Sequence, residues 1–178
     1  MSTGKTICDA AEVNKMIESL AGRIKQRRRD KQNLALVGIH TRGVFLARRI
    51  AEKIDPDSSG RVPTGDMDIN LYRDDWTGIA HQPEVRSTRI DFDISSKQII
   101  LIDDVLYTGR TIRAALDAII DFGRPLRIEL AVLIDRGHRE LPIQADYFGK
   151  FVETRHSDVV NVLLSEYDGV DRVDLLTD

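Results

Sequence analysis

Two adjacent carboxylates, Asp103 and Asp104, end the aliphatic run Ile99-Ile100-Leu101-Ile102, and Val105-Leu106-Tyr107-Thr108-Gly109-Arg110-Thr111 follows them. An apolar run without alternation is the pattern of a strand buried on both faces. The spacing of Ile112, Ala115, Leu116 and Ile119 is that of an amphipathic helix packed back onto the sheet. Between the two, Thr108-Gly109-Arg110-Thr111 sets backbone N–H groups, hydroxyls and a cation at a helix N-terminus, which makes a phosphate cradle. Vicinal acids at the C-terminal end of a strand suit sugar hydroxyls or a hydrated Mg2+. On cap preference alone, an Asp pair ahead of a helix is more often a cap plus a solvated charge. The weight therefore rests on the whole string.

A second strand–loop–helix unit repeats this logic. Leu34-Ala35-Leu36-Val37-Gly38-Ile39 reads as a buried strand, His40-Thr41-Arg42-Gly43 as its loop, and Val44, Ala47, Ile50, Ala51 and Ile54 as the helix behind it. Thr41 and Arg42 are thus candidates for a second anion site. Ahead of it, Asp9 reads as the N-cap of a helix carrying Val13, Met16, Ile17, Leu20 and Ile24, with Arg23, Lys25, Arg27, Arg28, Arg29 and Lys31 on its following turns. Cations at a helix C-terminus complement its dipole, and they are also the side chains of an RNA-binding face.

Further along, Asp66-Met67-Asp68-Ile69-Asn70-Leu71-Tyr72 alternates as a half-exposed strand does. Residues 73–89 are long, polar and aperiodic, the pattern of a functional loop, with Arg73 ranked first among its cations ahead of Arg86 and Arg89. Residues 128–134 form another apolar strand ending in Asp135-Arg136-Gly137-His138-Arg139-Glu140-Leu141-Pro142, a third polar segment at a strand's end. Residues 147–152 and 159–164 read as later strands, followed by an acidic tail with Glu166, Asp168, Asp171 and Asp174. His40 and His156 read as structural or loop residues.

The chain that must position these groups has 178 residues, 42% of them hydrophobic, and a formal net charge of −3. That is enough for one α/β domain with a sizeable core. The charge argues against broad, non-specific nucleic-acid binding but not against a local basic patch. Cys8 is the only cysteine, so an intramolecular disulfide is impossible and a Cys-based zinc site implausible. With neither a signal-peptide pattern nor a run of 18 apolar residues, a cytoplasmic protein without membrane contact is expected.

The string from Asp103 to Thr111 resembles the phosphoribosyl-pyrophosphate signature of the type I phosphoribosyltransferases. With Leu71-Tyr72-Arg73-Asp74-Asp75 and the segment 135–142, nearly the whole chain is similar to the family of bacterial pyrimidine operon regulators that carry uracil phosphoribosyltransferase activity. The resemblance implies an open, mainly parallel twisted sheet flanked by helices. Residues 1–178 would form one domain, with a lid loop at about 73–89 and a small hood from the terminal segments. It also implies that Asp103 and Asp104 face the ribose and hold Mg2+, directly or through water, that Tyr107, Thr108, Gly109, Arg110 and Thr111 hold the 5′-phosphate, and that Val105 belongs to the substrate-binding set. Thr41, Arg42 and Arg73 would meet the pyrophosphate, with Arg42 joining the two acids in catalysis. Backbone groups around Ile134, Arg136 and Gly137 would meet the base. Purine-salvage members usually carry an acid at the position of Tyr107, which favours a pyrimidine here.

Implied partners are uracil, phosphoribosyl pyrophosphate with Mg2+, UMP, a leader mRNA stem-loop and further copies of the chain in a dimer or larger homo-oligomer. Arg23, Arg27, His138, Arg139 and Lys150 are the RNA-binding candidates. The first helix has Glu18, Ser19 and Gly22 where RNA-binding members present hydroxyl, Arg and His groups, and Gln144 stands at a position that is usually Arg. Two alternatives therefore stay open: a salvage enzyme without RNA regulation, and a non-catalytic, nucleotide-sensing RNA-binding regulator.

Overall fold

The computed structural model describes residues 3–27, 33–57, 62–72 and 87–177. Arg28, Arg29, Lys31, Arg73, Arg86 and most of the expected lid loop lie outside the described residues. Among the described residues, eight strands and four α-helices follow in the order β1 (Thr3–Cys8), α1 (Ala10–Arg27), β2 (Leu34–Ile39), α2 (Arg42–Ile54), β3 (Thr64–Met67), β4 (Gln98–Leu106), α3 (Arg110–Ile120), β5 (Arg127–Asp135), β6 (Tyr147–Phe151), β7 (Val159–Leu163), α4 (Ser165–Asp168) and β8 (Arg172–Thr177). Five strands form a parallel sheet in the order β3-β2-β4-β5-β6, and the other three a separate antiparallel sheet, β1-β8-β7.

The central strands are apolar throughout because both faces of the sheet are covered. Side chains alternate across a strand, so Leu34, Leu36, Ile100, Ile102, Ala131 and Leu133 pack under α1, α2 and the small sheet. Ala35, Val37, Ile99, Leu101, Leu130 and Val132 pack under α3. Helix α1 begins with a reciprocal capping box. The Glu12 N–H donates to Asp9 Oδ1 at 2.9 Å, and the Asp9 N–H donates to Glu12 Oε2 at 3.0 Å. Cys8 is buried.

Connections run outward from β2 to β3 on one side and from β4 through β5 to β6 on the other. The strand order thus reverses between β2 and β4, which is where open α/β sheets form their ligand crevice. Glycine lets the backbones close up there. A Cβ at Gly38 would stand 2.4 Å from the Gly43 carbonyl oxygen, and one at Gly43 would stand 2.4 Å from the Ile102 carbonyl oxygen.

Three sequence expectations need correction. The strand expected over 66–72 stops at Met67 and gives way to a short 3-10 helix, Asn70–Tyr72. There the Asp68 carboxylate accepts the Asn70 N–H at 2.9 Å, a local turn that draws the chain off the ladder. Strand β4 does not end at the acids but runs through them to Leu106. The acidic tail contains α4 and β8, and β8 finds its partner in β1 at the other end of the chain.

The tightness of the crossing gives a direct test. Neither neighbour of Gly43 at this point is a flexible side chain, so Gly43→Ala must displace backbone and is expected to cost about 2 kcal/mol. Urea titration of both proteins would measure it, and an unchanged midpoint would show that the approach is looser than described.

Candidate active site

The ends of β2 and β4 place two loops side by side over the crevice. Asp103 is buried and Asp104 half-buried. Each carboxylate takes the next residue's amide: the Asp104 N–H donates to Asp103 Oδ1 at 2.9 Å, and the Val105 N–H donates to Asp104 Oδ1 at 2.9 Å. Burial, and then the negative charge of Asp104, pushes the Asp103 carboxyl well above the usual carboxylate range. Burial also raises Asp104, opposed by a hydrogen bond from Asp103 and by the positive charge of Arg42. This is a pair of oxygen donors short of positive charge.

Two helix N-termini lie at this edge of the sheet, and in neither does the N-cap residue supply a side-chain cap. Helix α2 starts after Thr41, and α3 after Gly109, whose φ of 92° suits glycine. The contrast with the boxed start of α1 is informative, because uncapped N–H groups at a helix start attract anions. The Arg110 N–H donates to Thr108 Oγ1 at 3.3 Å, and the Arg113 N–H to the Gly109 carbonyl at 2.9 Å, so the turn is shaped from within.

The third polar segment is laced to the phosphate-type loop. The Glu140 N–H donates to the Thr108 carbonyl at 3.0 Å, and Arg110 Nε to Glu140 Oε2 at 2.7 Å. Arg139 Nη1 donates to the Tyr107 carbonyl at 2.8 Å and the Gly137 carbonyl at 2.9 Å. Its Nε donates to the Ile143 carbonyl at 3.1 Å and its Nη2 to Asp135. Arg136 donates to Thr154 Oγ1 and the Arg155 carbonyl while its guanidinium lies 4.0 Å from the Tyr107 ring centroid. A directional chain backs Tyr107. His138 Nε2 meets the Thr154 carbonyl at 2.7 Å and must carry the proton. With neutral rings, His156 Nε2–H then donates to His138 Nδ1 at 3.2 Å, and the Tyr107 hydroxyl donates to His156 Nδ1 at 3.2 Å. His156 is an exposed loop residue as its sequence context suggests, and only its spatial neighbours reveal the chain.

Other candidates are placed differently. Ile134 is fully buried within β5, between Val105 and Lys150 in the sheet, so its side chain belongs to the core. Arg23 and Arg27 gather where α1 meets β6, with guanidinium carbons 5.8 and 5.6 Å from the Tyr147 ring centroid. Lys150 Nζ donates to the Ile7 carbonyl at 3.1 Å. His138 and Arg139 are engaged by the loops around Tyr107 instead. Glu18 accepts hydrogen bonds from Lys53 and Asn14, each at 3.0 Å, which offsets its charge. Arg42 forms a side-on ion pair with Asp168, a residue the sequence reading left in the acidic tail.

A model of the phosphoribosyl transferase domain matches residues 1–167. The chain belongs to the phosphoribosyl transferase family. Two relatives, from Deinococcus deserti and Thermus thermophilus, are each 56% identical and each named "Bifunctional protein PyrR". The first match covers 96% of this chain and 93% of the relative, and the second 95% and 93%. Among solved structures, a Trypanosoma cruzi hypoxanthine phosphoribosyl transferase superposes with a TM-score of 0.74 at 16% identity, covering 97% of this chain and 91% of that one. A Staphylococcus aureus hypoxanthine phosphoribosyltransferase gives 0.70 at 17%, covering 95% and 90%. At those identities the likeness shows the phosphoribosyltransferase fold alone.

The raised acid pair has a consequence for stability. A carboxyl raised in the folded state contributes stability at low pH, lost as pH rises from the unfolded value of about 3.9 through the folded one. Asp103→Asn removes that penalty and keeps an acceptor for the Asp104 N–H. Its melting temperature is expected to exceed the parent's by about 2–4 °C at pH 8 and to match it near pH 4. A thermal melt at the two pH values checks this, and a lower Tm at pH 8 would contradict the assigned direction.

Proposed function

We propose that this phosphoribosyltransferase joins uracil to phosphoribosyl pyrophosphate, releasing UMP and pyrophosphate, and that it also binds a leader mRNA stem-loop in response to UMP. One observation carries the catalytic half: an acid pair, one buried and one half-buried, beside two helix N-termini whose N-cap residues supply no side-chain cap, at the strand-order reversal. Acids suit ribose hydroxyls, and open helix starts suit phosphates, so one ligand bearing both groups fits the whole crevice.

In this reading the uracil N1 gives up its proton to solvent and forms a bond to the ribose C1′, as the bond from C1′ to the pyrophosphate oxygen breaks and its electron pair leaves with the pyrophosphate. The transition state resembles an oxocarbenium ion. Asp103 and Asp104 accept from the ribose hydroxyls and lie near the positive charge that develops on the ring. Tyr107, Thr108, Gly109, Arg110 and Thr111 shape the seat of the 5′-phosphate. Thr41 and Arg42 take the pyrophosphate at the start of α2. Arg136 and Gly137, laced to Tyr107, form the wall for the base. No side chain needs to form a covalent bond to substrate; alignment of the reactants supplies the rest.

Mg2+ fits this donor set. Two hard carboxylate oxygens suit it, and among the described residues no third His, Cys, Asp or Glu joins them in a metal-binding group. Asp103 and Asp104 would hold such an ion together with the substrate's phosphates. Bound there, it would neutralise charge on the departing pyrophosphate.

The choice of uracil rests on the sequence resemblance and on Tyr107 at the position where purine members carry an acid. Initial rates with uracil, hypoxanthine and guanine test it, and turnover with uracil alone is expected. Asp104→Asn is expected to lower that turnover by about 100-fold with a native circular dichroism spectrum. Unchanged rates would remove Asp104 from the chemistry, and turnover of a purine would overturn the substrate.

Support for RNA binding comes from the relatives' shared name and from Arg23, Arg27 and Lys150 on the α1–β6 flank. A nucleotide that tightens RNA binding must itself bind more tightly to the RNA-bound protein. Gel shifts with the leader transcript of the organism's own pyrimidine genes, at fixed salt, are expected to tighten when UMP is added. No preference over a scrambled RNA, from protein that still turns over uracil, would leave the salvage enzyme alone.

A further inference from the structure

Helix α4 brings to the crevice a carboxylate that the reaction above does not use. Asp168 Oδ2 accepts Arg42 Nε at 2.9 Å and Oδ1 accepts Nη2 at 2.7 Å, a side-on pair that fixes the plane of the guanidinium. The pair is largely shielded, with Arg42 24% and Asp168 13% exposed. The hydrogen bond from Arg42 lowers the Asp168 carboxyl and raises the guanidinium, so both stay ionised. The Tyr167 ring centroid lies 5.6 Å from the Arg42 guanidinium carbon.

Asp168 is itself held independently of Arg42. The Leu164 N–H donates to Asp168 Oδ2 at 2.8 Å. Arg49 grips the rest of the turn, donating to Glu166 Oε1 at 2.7 Å, Asp171 Oδ2 at 2.8 Å and Ser165 Oγ at 2.8 Å. A carboxylate anchored this firmly acts as a bracket rather than as a loose counter-ion.

We propose that Asp168 is a positioning residue for the diphosphate end of the substrate, holding Arg42 so that its Nη1 end meets the diphosphate. The side-on pair occupies Nε and one hydrogen of Nη2. Among the described residues, Nη1 has no hydrogen-bond acceptor. Arg42 starts α2 at the end of β2, next to β4 in the sheet, and its charge reaches Asp104 on that strand. Ordering a long arginine on binding costs rotamer entropy, and the bracket meets that cost in the empty protein. The inference rests on the reading that Arg42 takes the pyrophosphate.

The experiment is a double-mutant cycle on the full chain, reading kcat, KM for phosphoribosyl pyrophosphate, KM for uracil and Tm for Arg42→Gln, Asp168→Asn and the double variant. Asp168→Asn is expected to raise the KM for phosphoribosyl pyrophosphate about fivefold, with kcat and the uracil KM within about twofold of the parent. Arg42→Gln is expected to raise the same KM at least as much, and the double variant to match Arg42→Gln alone. Effects that multiply in the double variant would show that Asp168 acts by another route and overturn the proposal. A lowered KM in Asp168→Asn would make Asp168 a competitor for the anion seat, and also overturn it. If Arg42→Gln raises the KM while Asp168→Asn does not, the bracket fails and the Arg42 reading stands; if neither moves it, both fail. Should Asp168→Asn not fold, Asp168→Ser keeps an acceptor for the Leu164 N–H and carries the same expectations.

Discussion

Backbone against backbone is the constraint on which this site depends. Gly38 and Gly43 let the start of α2 settle onto the Ile102 carbonyl, with no side chain between them. That contact sets the loop at 40–43 beside the end of β4. It brings the Arg42 charge within reach of Asp104, and it puts the open N-terminus of α2 on the same edge as that of α3. Helix ends left uncapped and acids left short of positive charge are each unfavourable for an isolated fold. Concentrated at one crevice, they describe a protein that gives up some stability to be ready for a charged ligand.

Much of this was legible in the chain. Apolar runs long enough for a buried strand give β2, β4 and β5, and the 3.6-residue spacing behind two of them gives α2 and α3. Asp103, Asp104 and Gly109 are consecutive with one such run, so their chemistry could be read locally. What escaped was non-local. Asp168 meets Arg42 across 126 positions, and the pairing of β8 with β1, though within the hood of terminal segments that the resemblance implies, has a register no local pattern sets. No pattern within the acidic tail announces either contact. The premature end of β3 and the extension of β4 through the acids share one cause: short carboxylate side chains bonding nearby amides. In one case this draws the chain off the ladder, and in the other it satisfies the acids while the strand continues.

The cations show the same difference between type and place. Arg139 is an RNA-binding candidate in sequence, yet it ties together the carbonyls of Tyr107, Gly137 and Ile143. Its neighbour Arg136 is buried and lies against Tyr107. These arginines work as joinery between the two loops, whereas Arg23 and Arg27 lie on the other flank, over the aromatic rings of β6.

Helix α4 is fastened in an unusual currency. None of its residues is buried, and what grips it are the guanidinium groups of Arg42 and Arg49. The central sheet is held by apolar packing, whereas this corner is held by ion pairs, of which the one to Glu166 lies nearest the surface and is the most open to screening by salt. Ionic strength would then act on this molecule unevenly: first at the outer rim of the corner, and least at the shielded pair that orients Arg42.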